Sequence, residues 1–375
     1  MLPDIVVVSD LHLTGGAAGR TGGAFAGFLG DLGRRASRRP LRLVILGDFL
    51  DLPRPLPTTG GVGGRAAFEG AVTAELERIA ARHRELFGAL ADLVAGGAMV
   101  EIVAGNHDIA LLHGFAQQRL RQLLAAGGGI VFHPWIYHLP GTLYAEHGHQ
   151  YHDVNAIPLL LQPWEADDPA LLRRPLALEL ERCLAVRRPR SALALLDRVC
   201  RLSGPALAGR RTAYRQDTLR RYAAQVGLAH GALLAIDGLS EASAWSVARR
   251  LARTWLVAPT RRAWSPGPLR RVSDRAAYLY RAWPAIHGAL RAAGQAVPYY
   301  VFGHTHLAEE RPLRGGDARY LNTGTWSAVP RGDPASPAPC RFTFVEITDG
   351  PAGSAPAARL LRWNDEERRR DAVPR

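Results

Sequence analysis

Five short polar clusters stand out, each directly after an apolar run: Asp10-Leu-His12, Gly47-Asp48-Phe-Leu-Asp51, Gly105-Asn106-His107-Asp108, His147-Gly-His149 and Gly303-His304-Thr-His306. They offer imidazole, carboxylate and one carboxamide. That mixture suits borderline divalent ions such as manganese, iron, zinc or cobalt better than calcium. Asp10, His12, Asp48, Asn106, His147, His304 and His306 are too many ligands for one ion. A carboxylate has two oxygens and can bridge, so two ions about 3.5–4 Å apart could share Asp48, as in two-metal phosphatases and nucleases. Taken singly, each cluster is ordinary, since Gly-Asp is a frequent turn and a lone His is more often a hydrogen-bonded core residue. Five of them in succession, all at the ends of apolar runs, require a common explanation.

The elements that would carry the clusters alternate in the α/β manner. Ile5 to Ser9, Leu41 to Leu46 and Met99 to Ala104 read as strands, with helices expected at Ala24 to Arg35 and Ala66 to Val94. Parallel strands present their C-terminal ends along one sheet edge, where α/β folds place ligands, so the clusters should converge. Ile130 to Leu139 and Thr142 to Glu146 read as two strands meeting in a hairpin at Pro140-Gly141. Later strands are expected at Pro298 to Phe302, Arg319 to Leu321, Arg341 to Ile347 and Arg359 to Trp363, followed by a frayed tail, 365–375. The Pro- and Gly-rich stretch Pro53 to Gly64 lacks the Gly-Lys-Ser/Thr ending of a phosphate-binding loop and reads as a flexible connection. Cys183, Cys200 and Cys340 fit neither a zinc motif nor a disulfide framework and read as buried thiols.

The clusters resemble, in order, the five signature blocks of the calcineurin-like metallophosphoesterase superfamily: D-x-H, G-D-x-x-D, G-N-H-D/E, an H or G-H block, and G-H-x-H. The match runs over Asp10 to Asp51, Asn106 to His149 and His304 to Trp326. It implies a four-layer α/β/β/α sandwich and hydrolysis of a phosphomonoester, phosphodiester or diphosphate by a metal-bound hydroxide. It also implies two divalent ions, manganese before iron, zinc, cobalt or magnesium. One would be held by Asp10, His12, Asp48 and His306, the other by Asp48, Asn106, His147 and His304. By the same resemblance His107 touches the scissile phosphate as acid or charge stabiliser, and Asp51 orients it. In His147-Gly-His149 either imidazole could be the ligand; the superfamily's H-G pair favours His147, leaving His149 and His152 as candidate substrate contacts. Asn322-Thr-Gly-Thr-Trp326 resembles the segment that closes the second sheet.

Between the two parts of this core, 1–155 and 297–364, the chain changes character. Residues 156–296 read as an Arg-rich helical insert: from Leu171 to Arg291 there are 23 Arg against 7 acidic residues, a net of +16 within a chain total of +13. All 47 basic residues are Arg, so part of the load reflects coding bias. The localisation of the charge, beside Trp245, Trp255, Trp264 and Trp283, suits a lid over an anionic phosphate-containing substrate, or peripheral contact with an anionic membrane. The tryptophans equally suit core anchors. The insert's position resembles the helical lid of the UDP-2,3-diacylglucosamine pyrophosphohydrolase branch. That branch, however, has Arg where His107 stands and His-Gly-Asp where this chain has His147-Gly-His149. The start of the chain reads as a strand rather than a signal peptide, and no apolar stretch reaches membrane-spanning length, which points to a cytoplasmic protein. Two other classes remain open: a membrane- or nucleic-acid-associated binding protein on the same fold, and a nuclease. The insert has no recognisable nucleic-acid-binding motif.

Overall fold

The apolar runs become strands because both faces of the sheet they form are covered. The computed structural model describes residues 2–16, 20–53, 63–125, 128–152, 155–157, 211–257, 277–313, 315–316, 318–327, 341–350 and 355–373. The expected loop at 54–62, the three cysteines, Trp264 and the first part of the insert lie outside them. In chain order the strands are β1 (Asp4–Val8), β2 (Leu41–Leu46), β3 (Met99–Val103), β4 (Ile130–His133), β5 (Ile136–Leu139) and β6 (Leu143–Glu146). There follow β7 (Tyr299–Phe302), β8 (Ala308–Pro312), β9 (Arg319–Thr323), β10 (Thr343–Thr348), β11 (Ala357–Asn364) and β12 (Arg369–Ala372). They form two mixed sheets of an α/β protein, ordered β12-β11-β10-β1-β2-β3-β4 and β5-β6-β7-β9-β8. Strands β1 to β4 are parallel neighbours, as are β6, β7 and β9.

All five residues of β1 are buried, and alternation explains how. Val6 and Val8 join Leu43, Ile45, Val100 and Ile102 in one apolar cluster with Phe25 and Phe28 of helix α1 (Thr21–Ala36). Helices α2 (Gly63–Arg82), α3 (Arg84–Ala95) and α4 (Gly114–Leu123) contribute to the same cluster. Ile5 and Val7 point the other way, into a second cluster with Val44, Leu46, Val103, Ala145, Val301 and Leu321. That second cluster draws on both sheets.

Three expectations need correction. The run 130–139 is two strands in different sheets, divided at Pro134-Trp135, because proline cannot donate to a continuing ladder. The helix expected over 66–94 breaks at His83, whose Nε2 donates to the Thr14 carbonyl at 3.1 Å. The tail does not fray over its whole length: β12 pairs with β11, and Arg370 reaches the buried Glu346 carboxylate at 2.8 Å.

The chain divides into two compact units, Met1–Gly148 with Val297–Arg375, and His149–Ala296. The second contains a 3-10 turn at His149–Tyr151 and helices α5 (Arg211–Val226), α6 (His230–Val257) and α7 (Ala277–Ala292). Its buried residues include Leu219, Leu233, Ile236, Leu279, Trp283 and Ile286, so Trp283 is an anchor of this unit's interior. Among the described residues, no helix is long and apolar enough to cross a membrane.

Candidate metal centre

The first unit places all seven candidate ligands just beyond strand C-termini. Asp10 and His12 follow β1, Asp48 follows β2, Asn106 follows β3, His147 follows β6, and His304 and His306 follow β7. The backbone curls sharply there. Asp10, His12, Asp48, His304 and His306 all adopt left-handed conformations, with φ of 54°, 49°, 49°, 66° and 61°. Each such residue costs about 1–2 kcal/mol when it has a Cβ, so the surroundings must impose it. Loop-to-loop hydrogen bonds do so: the amide of Asp10 donates to Gly47 O at 3.1 Å, that of His12 to Asp48 O at 2.9 Å, and that of Asp51 to Leu13 O at 2.9 Å. Gly105 permits the closest approach, since a Cβ there would lie 2.2 Å from Asp48 Oδ1.

Ligand atoms gather in three overlapping groups: Asp10, His12 and His306; His12, Asp48 and His107; and Asp48, His147 and His304. Within each group the donor atoms lie within 4.8 Å of one another. These groups can hold metal ions. His147 Nδ1 donates to Leu46 O at 2.8 Å, which turns Nε2 toward Asp48 Oδ2, 3.2 Å away. His12 Nδ1 donates to Asp51 Oδ1 at 2.8 Å, which turns its Nε2 inward to 3.6 Å from the same Asp48 Oδ2. Asp48 Oδ1 is occupied by the His107 backbone N–H at 2.8 Å. One carboxylate oxygen therefore faces both groups. His12 Nε2 and His306 Nε2 stand 3.2 Å apart, a separation two imidazole lone pairs tolerate only with a cation or proton between them. The buried Asn106 Oδ1 has no hydrogen-bond partner among the described residues, as a ligand oxygen would require. On these observations the donor set fits divalent metal.

Asp51 has a wider part than orienting His107. Its Oδ1 receives His12 Nδ1 and also lies 3.0 Å from His107 Nδ1, so one oxygen serves both imidazoles. His107 is the more open of the two, with 38% of its side chain exposed.

Electrostatics follow from crowding carboxylates and imidazoles out of water. Burial alone would raise the Asp10 and Asp48 pKa values. Neighbouring imidazoles outweigh it, chiefly His306 for Asp10 and His147 for Asp48, and hold both well below the usual carboxylate range. Burial likewise opposes charge on His12 and His147, but Asp10, Asp51 and Asp48 push His12 up to about 11, and Asp48 with Asp10 push His147 up to about 9. A metal requires unprotonated imidazoles, so its uptake must expel these protons. Metal affinity should therefore climb with pH between about 6.5 and 9, by up to about tenfold per pH unit for each proton displaced. Without metal, the imidazole–carboxylate pairs support the fold most fully between about pH 4 and 6.5; the support fades in acid, where the unfolded carboxylates take up protons, and again as pH rises through about 9 and then 11. Calorimetric titration of manganese in buffers of different ionisation heat reads the proton release directly; a dissociation constant flat from pH 6.5 to 8.5 would contradict it.

Two segments that the sequence marks make contacts it does not reveal. Asp108 is fully buried and accepts the backbone N–H groups of Gly105 at 2.6 Å and Phe49 at 2.8 Å, clamping the loop after β3 to the loop after β2. Burial and the neighbouring Asp48 raise its pKa to about 6. The Asn322–Trp326 segment leaves the end of β9, and the hydroxyl of Thr325 and the amide of Trp326 both donate to Asp10 O, at 2.9 and 3.1 Å. His149 and His152 belong to the second unit, where His152 stacks on Tyr278 at 4.7 Å and meets Asn155 Nδ2 through Nδ1 at 3.1 Å.

No family model matches the chain, and no curated protein matches it. Among solved structures, the phosphopantetheinyl hydrolase PptH from Mycobacterium tuberculosis aligns with 86% of this chain and 90% of its own, at 14% identity and a TM-score of 0.30. That degree of likeness carries no argument about this chain.

Proposed function

We propose that the chain is a dinuclear metal-dependent phosphoesterase with calcineurin-like layering, acting on a phosphomonoester, phosphodiester or diphosphate. The observation that carries this reading is Asp48 Oδ2, which faces His12 Nε2 at 3.6 Å on one side and His147 Nε2 at 3.2 Å on the other. Asp10, His12, Asp48 and His306 would hold one ion, and Asp48, Asn106, His147 and His304 the second. When bound, such a pair supplies Lewis acidity to a phosphoryl oxygen and a nucleophile at neutral pH.

The protein's own groups divide the remaining work. With Nδ1 of His107 against Asp51, its Nε2 is the nitrogen left to hold a proton for the leaving oxygen or to donate to the phosphoryl group. Asp51 ties that ring to the His12 ring, so the acid and one ligand share an orientation. The net +16 of residues 171–291 supports an anionic, phosphate-containing substrate. If that segment recruits it, kcat/KM should fall several-fold as ionic strength rises from about 0.01 to 0.5 M, and a flat salt profile would remove the role.

The deciding experiment gives manganese back to metal-stripped protein and compares bis-(4-nitrophenyl) phosphate with 4-nitrophenyl phosphate. Manganese-dependent hydrolysis of either is expected, with a diester preference pointing to diphosphate, lipid or nucleic-acid substrates. Hydrolysis untouched by chelation would overturn the proposal. Metal binding without hydrolysis of either would turn the reading toward a binding protein.

A further inference from the structure

Behind Asp10 lies a chain of buried hydroxyls that the metal-site reading leaves unused. Ser9 and Thr323 are fully buried. Ser9 Oγ meets Asp10 Oδ2 in a short hydrogen bond and lies 2.6 Å from Thr323 Oγ1, which in turn lies 3.3 Å from Phe302 O. Three links join these four oxygens, but only two hydroxyl protons exist to fill them. A carboxylate that binds metal is ionised, so it must accept. Ser9 therefore donates to Asp10 Oδ2, Ser9 Oγ accepts from Thr323, and the longest link, to Phe302 O, is the one left unmade.

The count fixes what Asp10 can offer. Its Oδ2 also accepts the His304 backbone N–H at 3.0 Å, so both in-plane lone pairs of that oxygen are taken. Oδ1 is left facing the imidazoles, 3.0 Å from His306 Nε2 and 3.8 Å from His12 Nε2. Gly303 makes room for the arrangement: a Cβ there would lie 2.5 Å from Ser9 Oγ and 2.8 Å from Asp10 Oδ2. The Asn322 amide holds Gly303 in place by donating to its carbonyl at 2.9 Å.

We propose that Ser9 and Thr323 are positioning residues, a polarised hydroxyl pair that locks Asp10 into ligating through Oδ1 alone. The inference rests on the two-metal reading above and adds the device that sets the binding mode of one ligand. Hydrogen-bonded hydroxyls polarise one another, so Thr323 acts on Asp10 through Ser9 without touching it. Losing such a partner behind a ligand typically weakens metal binding about 10- to 100-fold.

Ser9→Ala removes the donor yet leaves Thr323 free to turn to Phe302 O, so no buried hydroxyl is stranded. Manganese titration followed by calorimetry and electron paramagnetic resonance should show one ion bound about tenfold or more weakly. At two equivalents the spectrum should then be that of isolated manganese where the parent gives a coupled pair. Thr323→Val should shift binding in the same direction by less, and Thr323→Ser should restore it, with metal-free melting temperatures recorded for each to separate loss of fold. The proposal is overturned if Ser9→Ala matches the parent in affinity and spectrum, or if Thr323→Val and Thr323→Ser behave alike. A parent protein that binds no manganese pair would overturn the two-metal reading instead.

Discussion

Asp48→Asn is expected to leave fewer than one tightly bound metal per chain and to lower turnover by at least about a hundredfold. Removing a mere neighbour of a ligand already costs 10- to 100-fold, and Asp48 would be a ligand to both ions. The direction follows from which way the new amide must lie. The His107 backbone N–H points at Oδ1 from 2.8 Å and accepts no proton, so the amide oxygen takes that place. The NH2 group then occupies the Oδ2 position, 3.2 Å from His147 Nε2 and 3.6 Å from His12 Nε2. A donor stands where both groups need an acceptor. Metal content by atomic emission, measured beside turnover on the same preparation, checks this. Asp48→Asn protein that holds two ions and hydrolyses normally would end the bridging assignment.

The second large effect separates chemistry from metal binding. His107→Asn should keep both ions and lose about 10²–10⁴ in turnover, the usual contribution of a positioned acid or base. The backbone N–H that fixes Asp48 survives the exchange, and Asp51 still holds His12. The loss should depend on the leaving group: large for an alkyl alcohol that needs a proton, smaller for 4-nitrophenolate, which departs as the anion. An equal loss with both leaving groups would make His107 a charge stabiliser rather than an acid. Loss of metal would make it a ligand.

Much of this was legible because parallel strands buried on both faces leave unbroken apolar runs, and their polar ends are where the chain must turn. Ile5 to Val8 and Leu41 to Leu46 announce themselves in this way, and the clusters after them are the residues that meet. The edge strands β8 and β12 send no such signal. Strand β8, Ala-Glu-Glu-Arg-Pro, is half exposed, and β12, Arg-Arg-Asp-Ala, is held by ion pairs from Arg370 to Glu346 and Asp31 rather than by apolar burial. Asp108 looked like the end of a motif because its partners are backbone amides 3 and 59 residues away, which only folding brings together. The double duty of Asp51 was hidden for the same reason: spacing says which residues share a loop, not which two rings share one oxygen.

The division of ligands between the sheets has a mechanical consequence. Asp10, His12, Asp48 and Asn106 ride on the seven-stranded sheet, while His147, His304 and His306 ride on the five-stranded one. Each proposed ion would draw donors from both, acting as a rivet across the seam. The apolar layer of Val7, Val44, Ala145 and Val301 is then a calliper: its thickness sets the gap between the two jaws. A methyl group added or removed there, touching neither ion, would be felt as a change in their spacing, and the tolerance of the chemistry would be written in the packing of valines.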